Sequence, residues 1–266
     1  DAVISLKRIC SKHVIQKIVK TGNLQETFEA FEEYKDIPYS VAWIDCLAKN
    51  GNLGKCLLMA GDFSDDGELN YSSAKKMNIP FNFPQFVLNS VSVRAFNFLY
   101  YEKVRAKISE QKVGIDAFFY PLDAIGNWNR MYGKGGFTQY QFILPKETSF
   151  EGMNAVLQKI AASGKGSFLA VLKLYGPAND NYLSFPLEGY SLALDFKIEK
   201  GLFAFLDTLD EIVIKYGGRI YLAKDVRVSR KTVEQGYPNI DKFRALRKQY
   251  TMEEKFSSLQ SRRLGL

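Results

Sequence analysis

The sequence predicts an α+β fold. Two observations carry that expectation: extended runs that alternate between an oily and a polar side, and helical apolar stripes set between them. In Phe137-Thr138-Gln139-Tyr140-Gln141-Phe142-Ile143 the two glutamines share one face, because strand side chains alternate with period two. Thr138, Tyr140, Phe142 and Leu144 share the other. Residues 189–198 split the same way, with Tyr190, Leu192, Leu194, Phe196 and Ile198 opposite Ser191, Ala193, Asp195 and Lys197. A sheet that packs helices on its first face and holds a polar ligand on its second reads like this, and so does a sheet with one face in water. Paired glutamines among aromatic residues favour the ligand.

The elements follow in order. Residues 4–9 alternate like a strand and residues 14–19 like a second, after which Gly22-Asn23 supplies a turn and an N-cap. Leu24, Phe28, Phe31 and Tyr34 fall on one side of the next helix. Residues 39–47 and 55–63 are extended runs joined by Asn50-Gly51-Asn52, a hairpin signal. From 64 to 83 the composition turns to Asp, Gly, Ser, Lys and Pro, as in a loop or mobile flap. Residues 86–101, with Phe86, Phe96, Phe98, Tyr100 and Tyr101, predict a helix that docks through its aromatic rings.

Phe118-Phe119-Tyr120-Pro121 reads as a strand end, residues 122–132 as a short helix containing Trp128, and Gly135-Gly136 as the turn into the glutamine strand. Met153, Val156, Leu157 and Ile160 have helical spacing, and Gly164-Lys165-Gly166 stops that helix. Residues 167–175 form a strand with Phe168, Ala170, Leu172 and Leu174 opposite Leu169, Val171, Lys173 and Tyr175. The helix after Gly201 carries the stripe Leu202, Phe205, Leu206, Leu209, Ile212, Val213 and Tyr216. Gly217-Gly218 ends it, and residues 219–225 begin a strand that finishes in charge.

Composition narrows the chemistry. The 266 residues, 46% hydrophobic and 14% aromatic, suffice for a large core in one domain or two. A formal charge of +7 permits a polyanionic partner, but 36 basic residues are interspersed with 29 acidic ones. Cys10, Cys46 and Cys56 lack CxxC spacing and an even count, which argues against a disulfide framework or a zinc site and fits a reducing, cytoplasmic setting. No run approaches the roughly 20 apolar residues of a membrane span, and the first residues do not read as a signal peptide. His13 is the sole histidine, so Ser-His and Cys-His triads and His-rich metal sites lack their parts; it reads as a surface residue. There is no GxGxxG fingerprint and no GxxxxGK[ST] loop; Gly133-Lys134-Gly135-Gly136 is a turn. Asp65-Asp66 in a loop and Asp207 with Asp210 on an outer helix face read as solvated acids.

Residues 39–45 (YSVAWID), 119–123 (FYPLD), Trp128-Asn129-Arg130, Gln139-Tyr140-Gln141-Phe142, residues 221–225 (YLAKD) and Ser261-Arg262-Arg263-Leu264 form a series. In order and spacing it resembles the FAD-dependent oxidoreductases of the vanillyl-alcohol oxidase type, in particular the decaprenylphosphoryl-β-D-ribose 2′-oxidase family. The resemblance covers nearly the whole chain. It implies an antiparallel sheet with helices packed on one face and the other lining a flavin and substrate site. It further implies a substrate-binding (cap) domain over 1–218 and a C-terminal segment, 219–266, that completes an FAD-binding domain. The part of such enzymes that grips FAD would then precede Asp1, and the isolated chain is expected neither to hold FAD tightly nor to turn over.

Carried over residue by residue, the resemblance places Trp43, Tyr120, Gln139, Gln141, Lys173, Tyr175, Ser191 and Ala193 around a substrate pocket, with Tyr221 and Lys224 against FAD. Glutamines orient sugar hydroxyls as both donor and acceptor, Trp43 and Tyr175 offer flat walls, and Lys173 pairs with a phosphate. A cation at Lys224 favours the negative charge that arrives with hydride; a salt bridge to Asp225 or a solvated strand end is the alternative. Ser191 and Ala193 depart from an asparagine and a cysteine of the family, which leaves a smaller pocket floor and suggests a different polyol or glycolipid-like alcohol. Proton removal requires a base, for which Tyr120 or a residue outside the chain is expected to serve.

The expected function is hydride transfer from a sugar-like secondary alcohol, or a polyprenyl-phosphate sugar, to flavin. Its expected companions are a partner reductase and peripheral membrane association, with no metal and no nucleic acid. The rivals are a non-enzymatic basic module for RNA or a phosphorylated glycan, and the same fold acting on an aldonolactone or a 2-hydroxy acid.

Overall fold

The alternation along residues 137–145 and 189–197 is realised as two neighbouring strands of one large sheet. The computed structural model describes residues 3–72 and 77–266. Its elements run β1 (His13–Thr21), α1 (Leu24–Glu33), β2 (Tyr39–Ile44), β3 (Cys56–Phe63), β4 (Met77–Asn78), α2 (Ser90–Glu102), β5 (Ile108–Gly114), α3 (Ile115–Phe119), β6 (Ile125–Gly126) and β7 (Phe137–Pro145). Then follow α4 (Ser149–Ser163), β8 (Ala170–Tyr175), β9 (Gly189–Lys197), α5 (Leu202–Lys215), β10 (Arg219–Ile220), α6 (Arg230–Gly236), α7 (Ile240–Gln249), α8 (Met252–Lys255) and α9 (Leu259–Leu264). Eight strands form one antiparallel sheet in the order β10-β7-β9-β8-β2-β3-β1-β5, and β4 pairs with β6 in a separate two-stranded ladder.

Local chemistry explains the boundaries. Asn23 caps α1 by accepting from the Glu26 N–H at 3.0 Å, while the Glu26 carboxylate reaches back to the Gly22 N–H. Gly164, left-handed at φ 69°, ends α4. Gly189 is the start of β9 for a steric reason: a Cβ there would sit 1.9 Å from the Leu144 carbonyl oxygen, so only glycine lets β9 lie beside β7.

The oily sides of β7, β8 and β9 present Phe142, Leu144, Leu172, Leu192 and Leu194 to α1, α4 and α5, which answer with Phe31, Met153, Val156, Leu157, Ile160, Leu206, Leu209 and Val213. Burying each such side chain is worth about 1.5–3 kcal/mol. Ile220, Val228, Val233, Tyr237, Ile240 and Leu264 join the same core, so the chain beyond residue 219 packs onto the body before it.

Several elements differ from the sequence reading. Residues 4–9 are exposed and form no strand, because β5 takes the sheet edge beside β1 that they would need. β5 (ISEQKVG) is largely exposed and charged, which suits an edge strand and hides it from an alternation search. Residues 118–121 close the short helix α3 and enter a 3₁₀ turn instead of ending a strand. Residues 122–132 form no single helix: two 3₁₀ turns, Pro121–Ala124 and Trp128–Tyr132, are separated by β6 and by Asn127 in the left-handed region. α2 starts at Ser90, where Asn89 and Ser92 form a capping box, so Phe86 precedes it. The 219–225 strand stops after Ile220 and gives way to a 3₁₀ turn, Leu222–Lys224. Of the 64–83 segment, residues 73–76 lie outside the described residues, and apart from β4 the rest is irregular. Among the described residues no helix is long and apolar enough to cross a membrane.

A candidate ligand face on the sheet

Register brings the polar residues together. Gln141, Ala193, Val171, Trp43 and Leu57 are consecutive cross-strand partners across five strands and so share one rung of one face. Ile143, Ser191 and Lys173 make the next rung, and Gln139 with Asp195 the rung before. This is the side opposite the α1, α4 and α5 layer.

Both ends of the face are covered. Tyr100 and Tyr101 of α2 close over Trp43 and Leu57, and Phe185 and Leu187 close over Ile143 with Tyr175 and Tyr221. Trp43 is therefore 5% exposed, with its indole N–H donated to the Phe168 carbonyl at 3.0 Å and its ring 4.8 Å from Tyr100; it offers no free flat wall. Between the two covers lies a strip containing Gln139, Gln141, Ala193, Val171 and Lys173.

Gln141 is held in place. Its Nε2 donates to Ser191 Oγ at 3.1 Å and lies 3.5 Å from the Tyr175 hydroxyl, which leaves Oε1 to accept. Ser191 is buried, so it acts on the face through Gln141, and Ala193 beside it is half-buried. Tyr175 is half-buried against Phe185 and shows an edge to the face. Exposed Lys173 lines a groove of about 580 Å³ with Val41, Leu169 and Val171 below and Tyr120, 58% exposed, on the rim.

Tyr221 and Lys224 stand at the other edge of the strip. The Tyr221 N–H donates to the Gln141 carbonyl at 2.8 Å, which extends the sheet by one bond beyond β10. Lys224 shares a small recess with Gln139, Gln141 and Tyr221. It is exposed and makes no salt bridge among the described residues. Asp225 turns away to Arg263 at 2.5 Å and to the N–H groups of Arg227 and Val228; despite burial, these bonds hold its carboxyl below the usual carboxylate range.

The sequence reading passed over Asp195. It is 3% exposed, its Oδ2 has no hydrogen bond of good geometry among the described residues, and burial pushes it up to about 6 against nearby Gln139, Lys224 and Tyr132, which favour the carboxylate. The signal was present: Asp195 lies two residues beyond Ala193 on the face already chosen. One other acid differs from the sequence reading. Asp210 is not a solvated residue of an outer face but 3% exposed, taking a bidentate Arg227 at 2.7 and 2.7 Å and the Tyr140 hydroxyl at 3.0 Å. Asp66 is exposed in its loop, as expected, and pairs there with Lys112 and with half-buried His13, whose Nδ1 is 2.8 Å away.

No protein-family model matches the chain. It is 35% identical over 260 residues to a decaprenylphosphoryl-β-D-ribose oxidase of Mycolicibacterium smegmatis, an alignment covering 92% of this chain and 55% of that protein. It is also 38% identical over 112 residues to an uncharacterized protein in the mprA 5′ region of Streptomyces coelicolor, covering 42% of this chain and 30% of that one. Among solved structures, a berberine bridge enzyme variant overlaps 77% of this chain and 41% of its own at a TM-score of 0.39 and 10% identity, too loose an overlap to carry an argument. The chain thus spans about half the length of the oxidase it matches. Along nearly all of its own length, it is by sequence a relative of decaprenylphosphoryl-β-D-ribose oxidase.

Proposed function

We propose that the chain is the substrate-binding portion of an FAD-dependent oxidoreductase that transfers hydride from a sugar-like secondary alcohol to flavin. One observation carries this reading. Gln139, Gln141, Ala193 and Lys173 share an uncovered strip of one continuous sheet, with Tyr221 and Lys224 along its edge. A strip with two amides, one of them braced, beside exposed lysines suits a polyhydroxylated, anionic ligand better than it suits bare solvent.

In this reading residues 1–218 bind substrate and residues 219–266 return to a flavin-binding domain, most of which belongs to the other half of a protein of the relative's length. The relative's name points to a lipid-phosphate sugar: Lys173 would pair with a phosphate in its groove, and Gln141, braced by Ser191, would orient ring hydroxyls. Such a substrate would bring the protein to a membrane surface and call for a reductase to complete an epimerisation.

The residues present fit a flavin. Lys224 is an exposed cation that makes no salt bridge among the described residues, although its charge reaches Asp195, and Tyr221 is an aromatic ring held by Phe185 at 4.4 Å. When bound, FAD supplies the hydride acceptor. Lys224 would favour the reduced, more negative form by charge alone.

The test uses the complete gene product with bound flavin and a panel of polyols and polyprenyl-phosphate sugars. Flavin bleaching without oxygen, by at least one secondary alcohol, is the expected result. Lys224→Met should lower the flavin reduction potential and slow bleaching; an unchanged potential and rate would remove Lys224 from the site.

A further inference from the structure

Asp195 carries unassigned chemistry. Its side chain shares the ligand face with its cross-strand partner Gln139 and is 3% exposed. Among the described residues neither its Oδ2 nor the hydroxyl of Tyr132, 1% exposed, makes a hydrogen bond of good geometry, yet the two lie close enough for each to bear on the other's proton. Buried polar atoms in proteins are almost always satisfied, so a carboxylate oxygen and a hydroxyl left poorly matched on the ligand side of the sheet call for an explanation. Every packed element contributes a neighbour: Gln139 from β7, Tyr132 from the turn before β7, the Ser167 hydroxyl accepting the Asp195 N–H at 3.2 Å, and Lys224 from the turn after β10. Lys224 is the one charged group that bears on Asp195 among them. Burial outweighs Gln139, Lys224 and Tyr132, the three that favour the carboxylate, and sets the carboxyl at about 6, where a group is ionised at neutral pH yet basic enough to take a proton.

We propose that Asp195 accepts the hydroxyl proton of an alcohol seated over Gln139, through one water shared by Asp195 Oδ2 and the Tyr132 hydroxyl. This rests on the alcohol-oxidising reading above and supplies the base that reading lacks; Tyr120 lines the Lys173 groove instead. The carbinol C–H bond breaks with its electron pair leaving as hydride to a flavin-class acceptor. The O–H bond breaks, and its pair closes the carbonyl. The released proton passes to the water while a proton of that water passes to the Asp195 carboxylate, which becomes the carboxylic acid and later returns its proton to solvent. Two electrons leave the alcohol and two reach the acceptor.

The experiment compares wild type, Asp195→Asn, Asp195→Glu and Tyr132→Phe as complete, flavin-loaded gene products, measuring anaerobic flavin reduction by an alcohol from the panel against pH. Wild type should show a rate that rises with pH through an inflection near 6. Asp195→Asn should lose the inflection and run about 10²–10⁴-fold slower with alcohol affinity within about threefold. Asp195→Glu should recover part of the rate, and Tyr132→Phe should displace the inflection. Carboxyl ¹³C NMR gives a readout without turnover: one resonance titrating near pH 6 in wild type and missing in Asp195→Asn. If Asp195→Asn keeps the wild-type rate and pH profile, or if no carboxyl titrates near 6, the proposal is overturned and the oxidase reading stands. If no alcohol of the panel reduces the wild-type flavin, the oxidase reading falls and the proposal with it.

Discussion

Two aspartates are buried to the same degree, 3% exposed each, on opposite sides of one sheet, and they live in opposite states. Asp210, on α5, reaches toward the sheet with both oxygens taken by Arg227 and one also by Tyr140 of β7; burial still raises its carboxyl, and the Arg227 contacts pull it back. Asp195 lies on the strip's side of the sheet, and its Oδ2 has no hydrogen bond of good geometry among the described residues. The first arrangement is what stability alone selects, since a buried charge is tolerated when paired and bonded. The second is less stable than the same site with an apolar residue or an amide would be. A sheet that completes its chemistry on one side and leaves it open on the other is what the proposed ligand face requires.

The contrast breaks most visibly on the closed side. Arg227→Ala leaves the Asp210 carboxylate buried with Tyr140 alone and should cost about 3–5 kcal/mol of unfolding free energy, read by urea denaturation; a loss under about 1 kcal/mol would mean the pair is not buried in solution. Next comes a neighbouring pair on β8. Leu172, fully buried among the helices, should cost about 2–5 kcal/mol as Leu172→Ala, whereas Lys173→Ala on the opposite face should stay within about 0.5 kcal/mol. Equal losses at the two positions would show that the strip is packed rather than open.

Much of this was legible because the period-two rule is local. Gln139, Gln141, Ser191 and Ala193 needed only alternation to fall on one face, and α1, α4 and α5 announced themselves through apolar stripes and glycine or asparagine ends. What stayed hidden depends on contacts distant in sequence. The closure of Tyr100 and Tyr101 over Trp43 joins positions far apart in the chain, so nothing around Trp43 revealed that its ring is spoken for. β5 is an edge strand whose exposed charges erase the alternation, and Asp210 looked solvated until Arg227 was placed beside it. The short turns between residues 115 and 132 follow local backbone choices such as the left-handed Asn127, which no apolar stripe encodes.

On the open side the expected effect is smaller and depends on pH. The Asp195 carboxyl is raised from 3.8 to about 6 on folding, so the folded state binds its proton more tightly than the unfolded chain does. Its stabilising contribution is full below about pH 4 and is lost as the pH rises through about 6. Asp195→Asn removes that loss: it should be more stable than wild type at pH 7.5 by roughly 1–3 kcal/mol, with the difference shrinking to nothing near pH 4. A variant less stable than wild type at pH 7.5 would place Asp195 among the structural acids with Asp210.

The smallest expected effect on folding is the most informative about the strip. Gln141→Leu deletes the bonds to Ser191 and Tyr175 on a half-buried strand position and should change stability by no more than about 0.5 kcal/mol. In the complete gene product the same change should weaken alcohol binding by about tenfold, because an amide that fixes a hydroxyl is worth about 1–1.5 kcal/mol. Isothermal titration against the substrate panel reads the second quantity and thermal denaturation the first. Stability lost with affinity intact would make Gln141 a structural amide like the Asn97 side chain that donates to Asp45 at 2.7 Å. Affinity lost with stability intact is the signature of a face whose polar groups are kept for a ligand.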